Sequence, residues 1–328
     1  MRSSILAMLA LLLAITVVVA CGIGPYPISP SNVLKMLAGG AADPAAGHVV
    51  FDIRLPRVLA ALLVGAALAA AGSAYQSLFR NPLVSPDILG VSSGAGLGAV
   101  FGILLGLPVF AVQLLGFGGG LATVFCVALL ARALRGGADI LVLVLAGIVV
   151  GALAGAAIAL VKVLADPYEQ LPAITFWLLG SLSGIQRCDA LAAAPMVLVG
   201  LAPLVLLRWR IGVLGLGEEE ARALGIDTVW LRRLVIVAAT LMTAAAVAIS
   251  GVIGWVGLMV PHMARLIVGP RFDRLLPVAI LLGGSFMVAV DTLARSAARI
   301  EIPLGVLTAL IGGPVFVWLL WRGRQTAG

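Results

Sequence analysis

The chain has 328 residues, of which 62% are hydrophobic and only 11% charged, with a formal net charge of +7. A soluble domain devotes about a quarter of its residues to charge. So few charges would leave a soluble surface of this size uncovered, and a soluble globular fold is excluded.

Apolar runs recur along the whole chain, and the mean hydropathy is +1.19. They are long enough to cross a bilayer core of about 30 Å, which takes roughly 20 helical residues. "VLAALLVGAALAAAG" (58–72) and "LVLVLAGIVVGALAGAAIALV" (141–161) are apolar on every face. Strands of a membrane barrel alternate apolar and polar residues instead. The sequence therefore predicts an all-α polytopic membrane protein.

Apolar runs between breaker clusters give ten spans, approximately 5–23, 57–78, 88–107, 110–133, 140–164, 190–208, 232–251, 253–268, 274–297 and 303–321. The first ends in "VVAC", which resembles a lipoprotein cleavage site. Its length, and the many spans that follow, favour a transmembrane helix over a cleaved signal. Cys21, Cys126 and Cys188 are widely spaced and odd in number, with neither metal-ligand nor disulfide-framework spacing. Cys126, inside an apolar run, reads as a small core residue.

Between the second and third spans lies "SLFRNPLVSPDILGVSSGAG" (77–96), polar and rich in helix breakers, where the chain reverses in water. The segment 171–184 is too short to cross and reads as an interfacial helix, with Trp177 at headgroup level. Glycines recur inside the spans, in "GAALAAAG", "GVSSGAGLG", "GIVVGALAG" and "GGSFMVAVD". Small residues one turn apart let helices approach closely, and spacing alone does not separate close packing from helix mobility.

Orientation follows from the basic residues. With the N-terminus cytoplasmic, Lys35, Arg54, Arg57, Lys162, Arg187, Arg295 and Arg299 fall outside, leaving fourteen of the 21 lysines and arginines inside. Both termini are predicted to be cytoplasmic. The pI near 10.2 then reports topology, with no need for a nucleic-acid partner.

Ionisable residues are scarce within the spans. Lys162 with Asp166, and Asp291 with Arg295, are each one helical turn apart, so each pair can neutralise itself near an interface. Neither lysine follows a glycine, so the Gly-Lys-Ser/Thr phosphate loop of an ATPase is missing. A pump built on this chain draws its energy from a partner.

"LGEEEARALGID" (216–227) stands apart. Glu218, Glu219 and Glu220 open a short helix where they complement its positive N-terminus. Ala221, Leu224 and Ile226 offer an apolar face, and Gly225 ends the helix. The segment suits either a solvated loop helix or a helix docked in a partner's groove.

The densest motifs are "DIRLPRVLAALLVGAALAAAGSAYQSLFRNPLVSPDILGVSSGAGLG", "LGEEEARALGI", "GVIGWVGLMVPHMARLIVG" and "IPLGVLTALIGGPVFVWLL". With them, the chain resembles the permease subunit of ATP-binding-cassette importers for iron-siderophores, haem and vitamin B12, the FecCD or BtuC type. The resemblance implies a BtuC-like fold of ten transmembrane helices over 1–328, with pseudo-symmetric halves 1–189 and 190–328. It implies a bacterial or archaeal plasma (inner) membrane protein paired with a second copy, two cytoplasmic ATPases and an extracytoplasmic binding protein. ATP and Mg would be used by the ATPases; this chain would bind no cofactor or metal and catalyse nothing.

By motif, Arg54, Arg57 and Arg295 match outward-facing arginines that meet carboxylates of the binding protein; anchoring at the lipid interface is the plainer alternative. Glu218, Glu219, Glu220, Ala221, Arg222, Leu224 and Gly225 match the helix that couples to the ATPase. Asn81 and Pro82 match the cytoplasmic turn. His48 and His262 are taken as structural. The expected cargo is a metal chelate, with an oxyanion as runner-up because 165–182 is similar to members associated with molybdate or tungstate. An ion-coupled secondary carrier is the more distant alternative.

Overall fold

A computed structural model describes residues 2–40, 43–134 and 140–325. The chain opens with α1 (Arg2–Gly22), α2 (Pro30–Leu37), α3 (Pro44–His48) and a π-helical turn (Val49–Arg54) that runs into α4 (Leu55–Leu78). A 3-10 turn (Pro86–Leu89) leads to α5 (Val91–Leu104), α6 (Val109–Ala133), α7 (Ile140–Leu164) and α8 (Gln170–Leu179). Then follow α9 (Arg187–Leu206), α10 (Arg208–Leu214), α11 (Glu218–Ala223) and α12 (Thr228–Ser250). The last three are α13 (Val256–Val268), α14 (Phe272–Ser296) and α15 (Leu304–Gln325). Arg135, one of the arginines assigned to the inside, lies outside the described residues.

Each predicted span corresponds to one helix. Among the described residues, seven helices are long and apolar enough to cross a membrane, whereas Val91–Leu104, Val256–Val268 and Leu304–Leu319 are shorter apolar helices. Several predicted starts shift by up to four residues, as at α12, which begins at Thr228 rather than 232, and two of them move later by three for local reasons. Gly90 takes a left-handed conformation (φ 74°) and accepts from the Gly94 N–H, so α5 begins at Val91 rather than 88. Residues 251–255 form an irregular stretch with Gly251 at φ 67° and Trp255 at φ 69°, which delays α13 to Val256. The interfacial segment is α8, ending at Gly180 (φ 75°) and anchored by Ile174 against Val100, Val161 and Ala165.

At the centre is α4, whose residues from Val64 to Gln76 are all buried. No single face points to a core; the whole circumference is covered, which its Ala- and Gly-rich sequence permits. A Cβ on Gly65 would collide with the Gly283 carbonyl on α14, and one on Gly283 with the Gly65 carbonyl. On the next turns, Gly72 meets the Gly257 backbone on α13 in the same way. The α5–α6 pair repeats the device, with Gly94 and Gly98 against Gly119 and Leu115. In a bilayer, where lipid tails compete with apolar side chains, such close backbone approach is a main source of helix–helix attraction. These glycines are therefore packing residues, whereas Gly155 on α7 meets nothing within 4 Å.

Two expectations about single residues change. Cys126 is exposed, because it lies on the outward side of α6. Lys162 and Asp166 form no ion pair; α7 ends at Leu164, and Asp166 turns to cap the next segment, accepting from the N–H groups of Tyr168 (3.0 Å) and Glu169 (2.7 Å).

Gly65→Ala should destabilise the protein by about 1–3 kcal/mol, because overpacking against backbone leaves little to relax. Gly155→Ala should be neutral or add about 0.4–1 kcal/mol. Thermal unfolding in detergent measures both; equal behaviour of the two variants would contradict the packing role.

Candidate functional site

The residues singled out in the sequence gather at two opposite ends of the bundle. At one end, the π turn and the start of α4 place Arg54 and Arg57 beside the C-terminus of α1 and the end of α14. Arg54 is only 4% exposed. Its Nη1 donates to the carbonyls of Cys21 (2.7 Å) and Gly22 (3.0 Å), and its Nη2 to that of Tyr26 (2.6 Å). Gly24 leaves room for this guanidinium, since a Cβ there would lie 2.6 Å from Nη2.

Arg57 is forked between two carboxylates. Its Nε donates to Asp291 Oδ1 at 2.8 Å and Oδ2 at 3.1 Å; Nη1 and Nη2 reach Glu301 Oε2 and Oε1 at 2.9 and 2.8 Å. Such two-point guanidinium–carboxylate pairs are the strong, geometrically specific form of the interaction. Arg295 lies 3.6 Å from Asp291 Oδ2, donates to Ile23 O at 2.8 Å and also bonds Ala20 O. Ser181, just after α8, donates to Glu301 Oε1 at 2.9 Å.

The three arginines are thus brought together, and each is engaged by partners within the chain. The side chains of Arg57 and Arg295 are 13% and 11% exposed. Asp291 supplies a carboxylate from α14, and Glu301 a second from the loop before α15. Sequence reasoning paired Asp291 with Arg295 and missed Glu301 and Ser181. The available signal was Glu301 itself, an acid standing two residues before Pro303 at the mouth of the last span.

The cluster also fastens the loop after α8. Ser181 N–H donates to Ser250 O and Leu304 N–H to Gly180 O, each at 2.8 Å. Beside this loop lies a cavity of about 490 Å³, lined in part by Gln113, Trp177, Ser181, Asp189 and Ile249.

At the opposite end, α11 is six residues long. Glu218 ion-pairs with buried Arg232 of α12 and, at 3.1 Å, with Arg222. Arg222 Nε donates to Thr228 Oγ1 at 3.3 Å. Gly225 (φ 75°) closes the helix, its N–H on Arg222 O at 2.9 Å, and Ile226 N–H reaches Ala221 O at 3.0 Å. This is the left-handed glycine stop expected from the sequence.

The apolar face expected from Ala221, Leu224 and Ile226 is split. Ala221 (0%) and Ile226 (8%) face inward and seat the helix, while Leu224 is 59% exposed beside exposed Glu219, Glu220 and Arg222. The split arises because the helix stops at Ala223, so Leu224 no longer follows the helical period.

Asn81 and Pro82 lie in the exposed turn after α4, at this same end. Asn81 Oδ1 accepts from Leu83 N–H at 2.9 Å. Gln76 ties the turn down, donating to Val84 O (3.3 Å) and Leu258 O (3.1 Å) and accepting from Arg265 Nη2 (2.9 Å). Desolvation raises the Asp87 carboxyl above the ordinary carboxylate range, offset in part by hydrogen bonds from the Ser92 hydroxyl and N–H. A cavity of about 310 Å³, lined by Gln76, Arg80, Pro82, Leu216 and Arg265 among others, joins the turn to the approach to α11.

Neither histidine sits in a ligand constellation. His48 pairs with Asp52 at 2.8 Å on the surface, and His262 stacks edge-on against Phe316 at 5.9 Å between centroids.

The sequence profile of the FecCD transport family matches residues 12–322. The chain belongs to that family. It is a permease. Among curated relatives, it is 41% identical over 325 residues to the molybdate import system permease protein MolB of Haemophilus influenzae, covering 97% of this chain and 95% of that one. It is 44% identical over 278 residues to the cobalamin import system permease protein BtuC of Halobacterium salinarum, covering 84% and 74%. Among solved structures, it superposes with a TM-score of 0.90 and 40% identity, over 98% of this chain and 99% of the other, on a chain described as an inward-facing conformation of a metal-chelate type ABC transporter.

In this permease, breaking the Arg57 cluster by removing one partner would leave a buried charge uncompensated. Arg57→Met leaves Asp291 buried with Arg295 as its remaining basic partner, at 3.6 Å, and should cost about 3–5 kcal/mol. The double variant Arg57→Met, Asp291→Met should recover most of that loss. Thermal unfolding in detergent is the measurement, and a double variant no more stable than the single one would count against the pairing.

Proposed function

We propose that the permease is the membrane half of an ATP-driven importer, paired with a second copy and gripped by two cytoplasmic ATPases at α11. Both termini and the Asn81-Pro82 turn then lie in the cytoplasm. The observation that carries this reading is the build of α11 itself. Glu218 pairs with Arg232 of α12 and Ala221 is buried, while Glu219, Glu220, Arg222 and Leu224 are left exposed. A helix anchored on one side and bare on the other transmits force without yielding. Membership of a transport family whose profile spans nearly the whole chain supports the same reading.

The Arg57 end then faces an extracytoplasmic binding protein. Because all three arginines already have internal partners, docking there takes the form of exchange: a carboxylate of the binding protein replaces Glu301 on Arg57, with Arg295 beside it. Arg54, enclosed by backbone carbonyls, holds the end of α1 in place for that contact.

The proposed cargo is a metal chelate, a ferric siderophore, haem or cobalamin. The cobalamin-importing relative and the metal-chelate transporter of like fold support this. Molybdate or tungstate is the second reading, favoured by the 41% identity to the molybdate permease over almost the full length of both chains. Uptake of haem, a ferric siderophore, cobalamin and molybdate by the reconstituted importer distinguishes them.

Leu224→Glu should abolish co-purification of the ATPase while the permease remains monodisperse and folded. Retention of the ATPase by that variant, or cargo uptake by the permease alone in ATP-free liposomes, would overturn the proposal.

A further inference from the structure

A third feature belongs to neither end site. Between α6, α7 and α12 runs a cleft of about 440 Å³, with a wall of Leu121, Val124, Phe125, Val237 and Leu241 and with Arg132 and Arg233 also lining it. Both arginines are exposed, and neither makes a hydrogen bond or ion pair with any described residue. Arg132 is in the last turn of α6, and Arg233 near the start of α12, so both charges stand at one end of the cleft. That is the end at which α7 begins and α11 is seated against α12. Phe125 and Val237, each 63% exposed, line the apolar part.

The dimensions match one leaflet. From Arg132 to Leu121 is eleven residues of α6, about 16 Å at a rise of 1.5 Å per residue. From Arg233 to Leu241 along α12 is eight residues, about 12 Å. Half of a bilayer core is about 15 Å. Trp230, 49% exposed one turn before Arg233, stands where amphipathic rings mark the headgroup layer. An apolar slot one leaflet deep, closed at the water side by two guanidiniums that pair with no described residue, is complementary to an acyl chain carrying a negative headgroup. The forked donors of arginine suit a phosphodiester.

We propose that this cleft is a binding site for an anionic phospholipid, with the headgroup phosphate on Arg132 and Arg233 and one acyl chain along α6 and α12. Seated there, the lipid braces α12, the helix to which α11 is pinned, so the site lies next to the machinery that couples to the partner ATPase. The inference requires only that the chain spans a bilayer; the identity of the cargo and of the energy source can change without touching it.

The test is native mass spectrometry of the full-length permease in mild detergent, titrated with phosphatidylglycerol and with phosphatidylcholine. Near a membrane surface each basic residue contributes about 1 kcal/mol toward an anionic lipid, so two should give a preference for phosphatidylglycerol on the order of tenfold or more. Arg132→Gln with Arg233→Gln should abolish that preference. Arg208→Gln with Arg210→Gln, which removes the same charge outside the cleft, should preserve it. If the first pair does not fold, Val237→Trp, which fills the apolar slot, should lower phosphatidylglycerol retention by a similar factor. Equal retention of the two lipids, equal loss in both arginine pairs, or displacement by millimolar inorganic phosphate would overturn the proposal. So would a crosslink between two copies through residue 237.

Discussion

Backbone-to-backbone contact along α4 is the constraint on which the rest of the permease depends. Gly65 lies on Gly283 and Gly72 on Gly257, so α14 and α13 approach α4 more closely than any side chain would allow. Both candidate sites adjoin the ends of this helix. Its first turn carries Arg57 to Asp291 of α14, and its last turns carry Gln76 to Leu258 of α13 and to Arg265. None of these polar contacts would form if α4 stood a side chain's width further away.

The buried charges serve geometry more than net stability. Removing ions from water costs several kcal/mol each even when they end up paired. That cost is met only when α1, α4, α14 and the loop before α15 are all in place, because α4 carries Arg57 and the other three supply the partners of Arg54, Arg57 and Arg295. The cluster therefore fixes how four segments meet. Glu218 and Arg232 do the same at the other end on a smaller scale, setting the angle at which α11 leaves α12.

Much of this was legible in the sequence, and the gaps have physical causes. Apolar length and breaker residues located the helix that answers to each of the ten predicted spans. The starts of α5 and α13 were misplaced because apolar residues continue through stretches whose backbone is set by Gly90, Gly251 and Trp255. Hydropathy registers composition and is blind to dihedral angles. The motif at 218–225 gave the helix and its glycine stop, yet helical periodicity placed Leu224 with Ala221 although the helix ends between them. Arg54, Arg57 and Arg295 were recognised, but their burial was not, since their partners are carbonyls and a glutamate remote in sequence. No local pattern announces that Arg57 and Glu301 will meet across 244 positions.

The glycine contacts also constrain the evolution of the chain. Where two side chains collide, trimming the neighbour restores the fit, so a harmful enlargement can be rescued by a second change. Opposite Gly65 the obstructing atom is a carbonyl oxygen, which every amino acid possesses. No replacement at 283 relieves it, and mutational paths through these positions are dead ends unless the two helices separate altogether.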